Sequence, residues 1–244
     1  MHKVNIPLEV VERVIRHRGR KHVYENFDPR RSALLVVDMQ NAFMMPGVAH
    51  HICAEAVDIV PNINRLAAAM RNAGGMVVWV MGVFGEASLE NWPVLHEMAG
   101  PERTPARIAA LAPGSIGHLL WADLITAPQD LTISKTKYSA FIQGSSDLAA
   151  VLRDRGIDTV LVTGTVTNVC CESTARDAMM MDYSTIMVHD TLSAVTPEEH
   201  VNSLTSWILF FGDVLGVDEV ISRVRPDFAL AQDQQHQERP SLTA

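Results

Sequence analysis

Residues 159–178 read TVLVTGTVTNVCCESTARDA. Thr159 to Thr163 is a run of aliphatic and β-branched residues without polar alternation. That is the composition of a strand covered on both faces, as in a parallel sheet. Gly164 opens a turn, and Asn168 to Met181 continues as a predicted helix. Cys170 stands where the turn passes into that helix.

The same strand-then-helix alternation recurs on both sides of this stretch. Ser32 to Asp38 (SALLVVD) is an apolar run ending in an acid. Met76 to Met81 (MVVWVM), Asp130 to Ser134 (DLTIS) and Ser184 to Val188 (STIMV) read as further strands, with Asp213-Val214 as a short last one. Helical spacing connects them over Glu55 to Ala73, where Val57, Ile59, Val60, Ile63, Leu66, Ala67 and Met70 recur until Gly74-Gly75. Helices are also predicted over Asp147 to Arg155, Pro197 to Phe210 and Asp218 to Val224. Strands alternating with helices imply right-handed βαβ crossovers. The expected fold is a single doubly wound α/β domain over residues 32–225, with a mostly parallel five- to six-stranded sheet and helices on both faces. Residues 1–31 form an N-terminal arm with an amphipathic helix over Pro7 to Arg18, expected to pack on a neighbouring copy. Its arginines and lysine read as a solvated face. Residues 82–128 are rich in proline and glycine and read as an insertion covering an active site. The polar tail, residues 226–244, has no apolar pattern and is expected to be disordered.

Composition narrows the function class. The chain has 244 residues, a net charge of −8 and 48% hydrophobic residues. An acidic protein without a basic face is a poor partner for nucleic acid. Cys53, Cys170 and Cys171 are too few for a disulfide framework and suit a reducing compartment. The N-terminus lacks the apolar core of a secretory signal, and no apolar run approaches the roughly 20 residues that cross a bilayer. A cytoplasmic protein with no membrane partner is expected.

In open parallel sheets, ligands bind beyond the carboxyl ends of the strands. The first strand ends in Asp38, the third near Lys135, and the fourth leads to Cys170. An acid, a lysine and a cysteine therefore share one rim if the strand order brings them together. A thiol at a helix N-terminus beside an ammonium is expected to have a lowered pKa. A carboxylate within reach takes its proton and returns it to a leaving group. The backbone N–H groups from Gly164 to Val169 suit an oxyanion. Each residue alone has a plainer reading: a buried small apolar group for the cysteine, a turn or cap for the aspartate, a solvated cation for the lysine. The three types at three strand ends outweigh any one alone. A nucleotide-binding fold is disfavoured, since the turn after the fourth strand has Gly164 but no G-x-G-x-x-G.

ALLVVDMQNAF (33–43), KTKYSAF (135–141) and VTGTVTNVCCESTARDA (162–178) together resemble the isochorismatase-like cysteine hydrolases, in order and spacing. The resemblance spans Ser32 to Val224 and is nearest to the ureidoacrylate and N-carbamoylsarcosine amidohydrolase branch. It implies a catalytic triad of Asp38, Lys135 and Cys170, with Cys171 as packing and Lys137 outside the triad. It also implies a non-proline cis peptide at Thr165–Val166, and an oxyanion hole from the N–H groups of Val166 and Cys170. The reaction implied is hydrolysis of a small amide, carbamoyl or ureido substrate through a Cys170 thioester, by a homo-oligomer, dimer or tetramer. A vinyl-ether hydrolase of the isochorismatase type is the alternative, but such enzymes do without the cysteine. A non-catalytic binding protein on the same fold is the other alternative, disfavoured by the intact set.

No cofactor is expected, and no metal. The Asp-x-His-x-x-His arrangement of the metal-binding relatives is absent, and the adjacent His50 and His51 do not replace it. Asn41, Trp79, Trp92, Tyr138 and Phe141 are candidate substrate contacts. His189 follows the fifth strand and reads as structural. Arg103, Arg107 and Lys137 are cations suited to an acidic substrate, but nothing in the sequence places them.

Overall fold

The apolar runs become strands because only a sheet interior hides them on both faces. The computed structural model describes residues 5–48 and 51–224. It contains one six-stranded sheet, formed by β1 (Ser32–Val37), β2 (Met76–Gly82), β3 (Leu131–Lys135), β4 (Thr159–Thr165), β5 (Ser184–Ser193) and β6 (Asp213–Leu215). Their order across the sheet is β3-β2-β1-β4-β5-β6 and every pairing is parallel. β1 and β4 lie at the centre and are buried at every position.

Nine helices accompany the sheet among the described residues: α1 (Leu8–Arg18), α2 (Asn41–Met44), α3 (Val60–Asn72), α4 (Ala87–Asn91), α5 (Pro93–Leu111), α6 (Leu148–Asp154), α7 (Glu172–Met180), α8 (Pro197–Phe210) and α9 (Val217–Arg223). The two-residue period of β1 divides the core into two layers. Leu34 and Val36 point to one face, where Ile63, Leu66 and Met70 of α3 and Val220 of α9 cover them. Ala33, Leu35 and Val37 point to the other, against Leu152 of α6, Ala175 of α7 and Leu204 and Trp207 of α8.

Several elements differ from the sequence reading for identifiable reasons. The helix expected over Glu55 to Ala73 divides into a 3₁₀ turn, Ala54–Val57, and α3. Pro61 sits in the first turn of α3, where its missing N–H is harmless, and it cannot continue a preceding helix. β5 runs to Ser193 rather than Val188, because a register shift between Val162 and Gly164 of β4 lets Leu192 and Ser193 pair again. Residues 82–128 hold two helices, α4 and α5. α5 is broken at Gly100 (φ 78°), and Pro93 and Pro101 stand where each helical segment begins. α8 starts with a capping box, Thr196 and Glu199 each bonding the other's backbone N–H.

The N-terminal helix packs on its own chain. Val14 of α1 is 2% exposed and joins the α7–α8 layer. Arg18 donates to the carbonyl of Ile208 (2.7 Å), so this arginine is a tether to α8 and not a solvated charge. The tail at 226–244 and His50 lie outside the described residues.

Candidate active site

The strand order reverses direction between β1 and β4, and a crevice opens there beyond the carboxyl ends. Val37 and Gly164 are register partners at the two strand ends. They pass so close that a Cβ on Gly164 would stand 2.1 Å from the Val37 carbonyl oxygen, and Gly164 has φ +107°. Only glycine fits both conditions. Asp38 follows immediately, in the left-handed region at φ 52°, which aspartate tolerates better than most residues.

Lys135 ends β3, and its register partner Gly82 ends β2. The Lys135 ammonium donates to Asp38 Oδ2 at 2.7 Å and to the Lys137 carbonyl at 3.2 Å. The Gly82 N–H donates to Asp38 Oδ1 at 2.8 Å. Side-chain exposure is 2% for Lys135 and 0% for Asp38. A Cβ on Gly82 would stand 3.2 Å from the carboxylate, so the missing side chain keeps the strand end close to the acid. Gln40 completes the frame: its Oε1 accepts from the Gly82 N–H (2.8 Å), while its Nε2 donates to the carbonyls of Gly82 (3.1 Å) and His118 (2.9 Å). An ion pair taken this far from water loses hydration worth several kcal/mol per ion. Buried, strongly interacting charges of this kind cluster at functional sites, and a buried pair is weak evidence of a stabilising role.

Cys170 lies in a π-helical turn, Thr167–Cys171, which precedes α7. Such turns recur at functional sites. Cys170 is 6% exposed, and Asp38 and Lys135 stand close enough to bear on the ionisation of its thiol. Burial, followed by the Asp38 carboxylate, pushes its pKa well up, against the opposing pull of Lys135. This reverses the expectation of a lowered thiol pKa: desolvation and a like charge outweigh the ammonium. Burial pulls the Lys135 pKa down, but Asp38 and Cys170 together hold it above its usual range. The resting site thus holds a neutral thiol beside a carboxylate–ammonium pair. The Thr165–Val166 peptide is cis.

These three side chains face one cavity of about 270 Å³. Phe43, Phe84, Leu111, Val166 and Val169 give it apolar walls. Tyr138, Arg103, Arg107 and His51 supply the remaining polar groups. Residues 82–128 therefore contribute Phe84, Arg103, Arg107 and Leu111 to the wall.

Of the other anticipated contacts, only Tyr138 lines this cavity. Asn41 donates to the Ile116 carbonyl at 2.9 Å. Trp79 is 1% exposed in the core and its indole N–H donates to Asp130 at 2.9 Å. Trp92 packs edge-on against Tyr138 with ring centroids 4.8 Å apart, and lines an adjoining groove instead. Phe141 packs on Tyr183 in the core. Lys137 lies over the Trp92 ring at 5.0 Å. His189 lies within β5 rather than after it, and packs against Gly216. Among the described residues no group of three or more His, Cys, Asp or Glu is placed to hold a metal ion, and no helix is long and apolar enough to cross a membrane. No motif in the sequence assigns Gln40 a role. Its position two residues after the strand-end acid is a usable signal, because a side chain there reaches the neighbouring strand end.

Residues 32–219 match the family model described as the isochorismatase domain. A cysteine hydrolase from Pseudomonas syringae pv. phaseolicola 1448A superposes with a TM-score of 0.70 at 30% identity, covering 82% of this chain and 94% of that one. An isochorismatase family protein from Desulfovibrio vulgaris subsp. vulgaris str. Hildenborough gives 0.65 at 30% identity, covering 83% and 99%. An N-carbamoylsarcosine amidase from Thermoplasma acidophilum gives 0.62 at 25% identity, covering 77% and 97%.

Proposed function

This chain belongs to the isochorismatase family of hydrolases, and we propose that it is a cysteine-dependent amidohydrolase cleaving a C–N bond of a small amide, carbamoyl or ureido compound. The observation that carries this reading is the Asp38–Lys135 pair, 2.7 Å apart and excluded from water, beside the Cys170 thiol. Nothing in the packing requires two charges there, whereas a thiol nucleophile requires a base and a counter-charge.

In the proposed reaction the Cys170 thiol gives its proton to Asp38, and the sulfur attacks the substrate carbonyl. Lys135 faces the negative charge that has moved from the carboxylate to sulfur. The carbonyl oxygen, now an oxyanion, is received by the N–H groups of Val166 and Cys170. As the C–N bond breaks, Asp38 returns the proton to the departing nitrogen, leaving a Cys170 thioester. Water then attacks the thioester while Asp38 takes its proton. The C–S bond breaks, releasing the acid, and the proton on Asp38 returns to sulfur. The apolar walls exclude bulk water from the thiolate. Ammonia release from primary amides, carbamoyl compounds and ureido compounds tests the reading, with mass detection of an acyl adduct on Cys170. A Cys170→Ala variant that keeps normal turnover refutes it.

A further inference from the structure

The cavity holds more positive charge than the triad uses. Lys135 is committed to Asp38. Arg103 and Arg107 of α5 also line the cavity, and among the described residues neither has a hydrogen-bond or ion-pair partner. One carboxylate against three cations leaves a surplus of two positive charges around a neutral thiol, within a chain whose net charge is −8. The Nη1 of Arg107 is buried from solvent with no acceptor. A guanidinium donor cut off from water without an acceptor is costly, more so than a neutral donor. Arg107 also stands close enough to the Tyr138 phenol to bear on its ionisation, which places its charge beside the cavity wall next to Lys135.

The spacing of the two arginines adds a second argument. Residues four apart lie on one helix face, and like charges there repel. Both are directed to the same cavity from the segment of α5 after the break at Gly100. An anion between them would convert the repulsion into attraction and supply the acceptor that Nη1 lacks. The guanidinium fork matches a carboxylate with two parallel N–H···O bonds.

We propose that Arg107, assisted by Arg103, is the specificity determinant of this cavity and selects substrates carrying a carboxylate remote from the scissile amide. This deepens the amidohydrolase reading and rests on it for the position of the amide. The acid is anchored at α5, and the amide or ureido carbonyl is left to face Cys170. The apolar walls of Phe84 and Leu111 suit a short hydrocarbon linker between the two polar ends.

The test separates binding from turnover. Succinamate and 3-ureidopropionate, each paired with its neutral methyl ester, are titrated calorimetrically into Cys170→Ala protein, which keeps the cavity without turnover. Each acid is expected to bind roughly ten- to hundredfold more tightly than its ester, the range for a hydrogen bond to a charged group. Adding Arg107→Met should abolish the preference, and adding Arg107→Lys should retain part of it, since charge remains but the fork is lost. Equal binding of acid and ester, no binding of either acid, or a preference that survives Arg107→Met overturns the proposal. If the wild-type protein releases no ammonia while the binding preference stands, the amidohydrolase reading fails and the acid site remains.

Discussion

The Asp38–Lys135 pair yields a prediction that separates folding from chemistry. At 2.7 Å the mutual attraction is about 6 kcal/mol for an effective dielectric of about 20. Each ion, at 2% exposure or less, gives up hydration worth several kcal/mol. The two quantities nearly cancel, so the pair adds little net stability. Removing one partner is different, because the other remains buried without its counter-charge. Asp38→Asn and Lys135→Met are each expected to cost about 3–5 kcal/mol. Combining them removes both charges with little change in volume, and the double variant should recover most of that loss. Activity should not recover, since the proton acceptor is absent. Losing a general base costs about 10²- to 10⁴-fold, and loss of the unit as a whole costs more. Urea unfolding, read by tryptophan fluorescence, measures the stabilities, and ammonia release measures turnover. A double variant as unstable as either single one, or singles costing under about 1 kcal/mol, refutes the electrostatic reasoning. A double variant with wild-type turnover refutes the catalytic role.

Other consequences can be checked separately. Gly164→Ala brings a Cβ to 2.1 Å from the Val37 carbonyl at φ +107°, and should cost roughly 3 kcal/mol or more, or abolish soluble expression. Alkylation of Cys170 by iodoacetamide, followed by mass spectrometry, should be slow at neutral pH and still rising above pH 9, because burial and Asp38 raise its pKa. A plateau below pH 8 contradicts the raised thiol. Burial lowers the pKa of His22, His118 and His189 below 6.5, so their contribution to stability is complete above that pH and is lost as pH falls through the lowered values. Unfolding free energy should therefore be flat just above pH 6.5 and decline below it, with His189→Gln reducing the slope. Breaking the buried Arg71–Asp130 bridge with Arg71→Met should cost about 3–5 kcal/mol in the same assay, since Asp130 also supports Trp79 and the Ala127 N–H.

The architecture was legible because its signals are local. β1 and β4 need no polar alternation when both faces are covered, and their apolar runs announce that directly. The rim of strand ends then pointed to Asp38, Lys135 and Cys170, and the structure places all three on one cavity. Aromatic candidates failed where burial competes with binding. Trp79 is apolar enough for the core and finds its polar partner in Asp130, whereas Tyr138, with the same statistical appeal, faces the cavity. No pattern in 82–128 assigned Arg103 and Arg107, because prolines obscured α5. Their spacing of four acquires meaning only once a helix is known to carry them. The thiol pKa runs against the sequence expectation because a helix N-terminus and an ammonium both favour the thiolate, whereas burial and Asp38 act together against it and prevail.

That reversal bears on how the proposed reaction starts. A thiol pushed up by burial would be a poor nucleophile if it had to release its proton to solvent. Transfer to Asp38 is a different process. Before it, the cluster contains a carboxylate, an ammonium and a neutral thiol. After it, the cluster contains a neutral carboxyl, the same ammonium and a thiolate, so the net charge in the cavity is unchanged. The desolvation that opposes ionising either group alone acts on both sides of the transfer and largely cancels. What remains is the intrinsic pKa difference between thiol and carboxyl, about 4–5 units, or roughly 6 kcal/mol. Lys135 reduces it only as far as it favours sulfur over the carboxylate it already contacts at 2.7 Å. The thiolate is therefore scarce at rest, and substrate must arrive before it forms. A bound carbonyl makes that step favourable, because the sulfur then shares its charge with an oxyanion held by backbone N–H groups. A site built this way spares its cysteine from alkylation and oxidation between turnovers. The same argument predicts that removing Lys135 should slow acylation at saturating substrate more than it weakens binding. Single-turnover kinetics on Lys135→Met, with substrate affinity measured on Cys170→Ala/Lys135→Met, separate the two effects. A variant that acylates at the wild-type rate but binds poorly would show that Lys135 serves the substrate and not the sulfur.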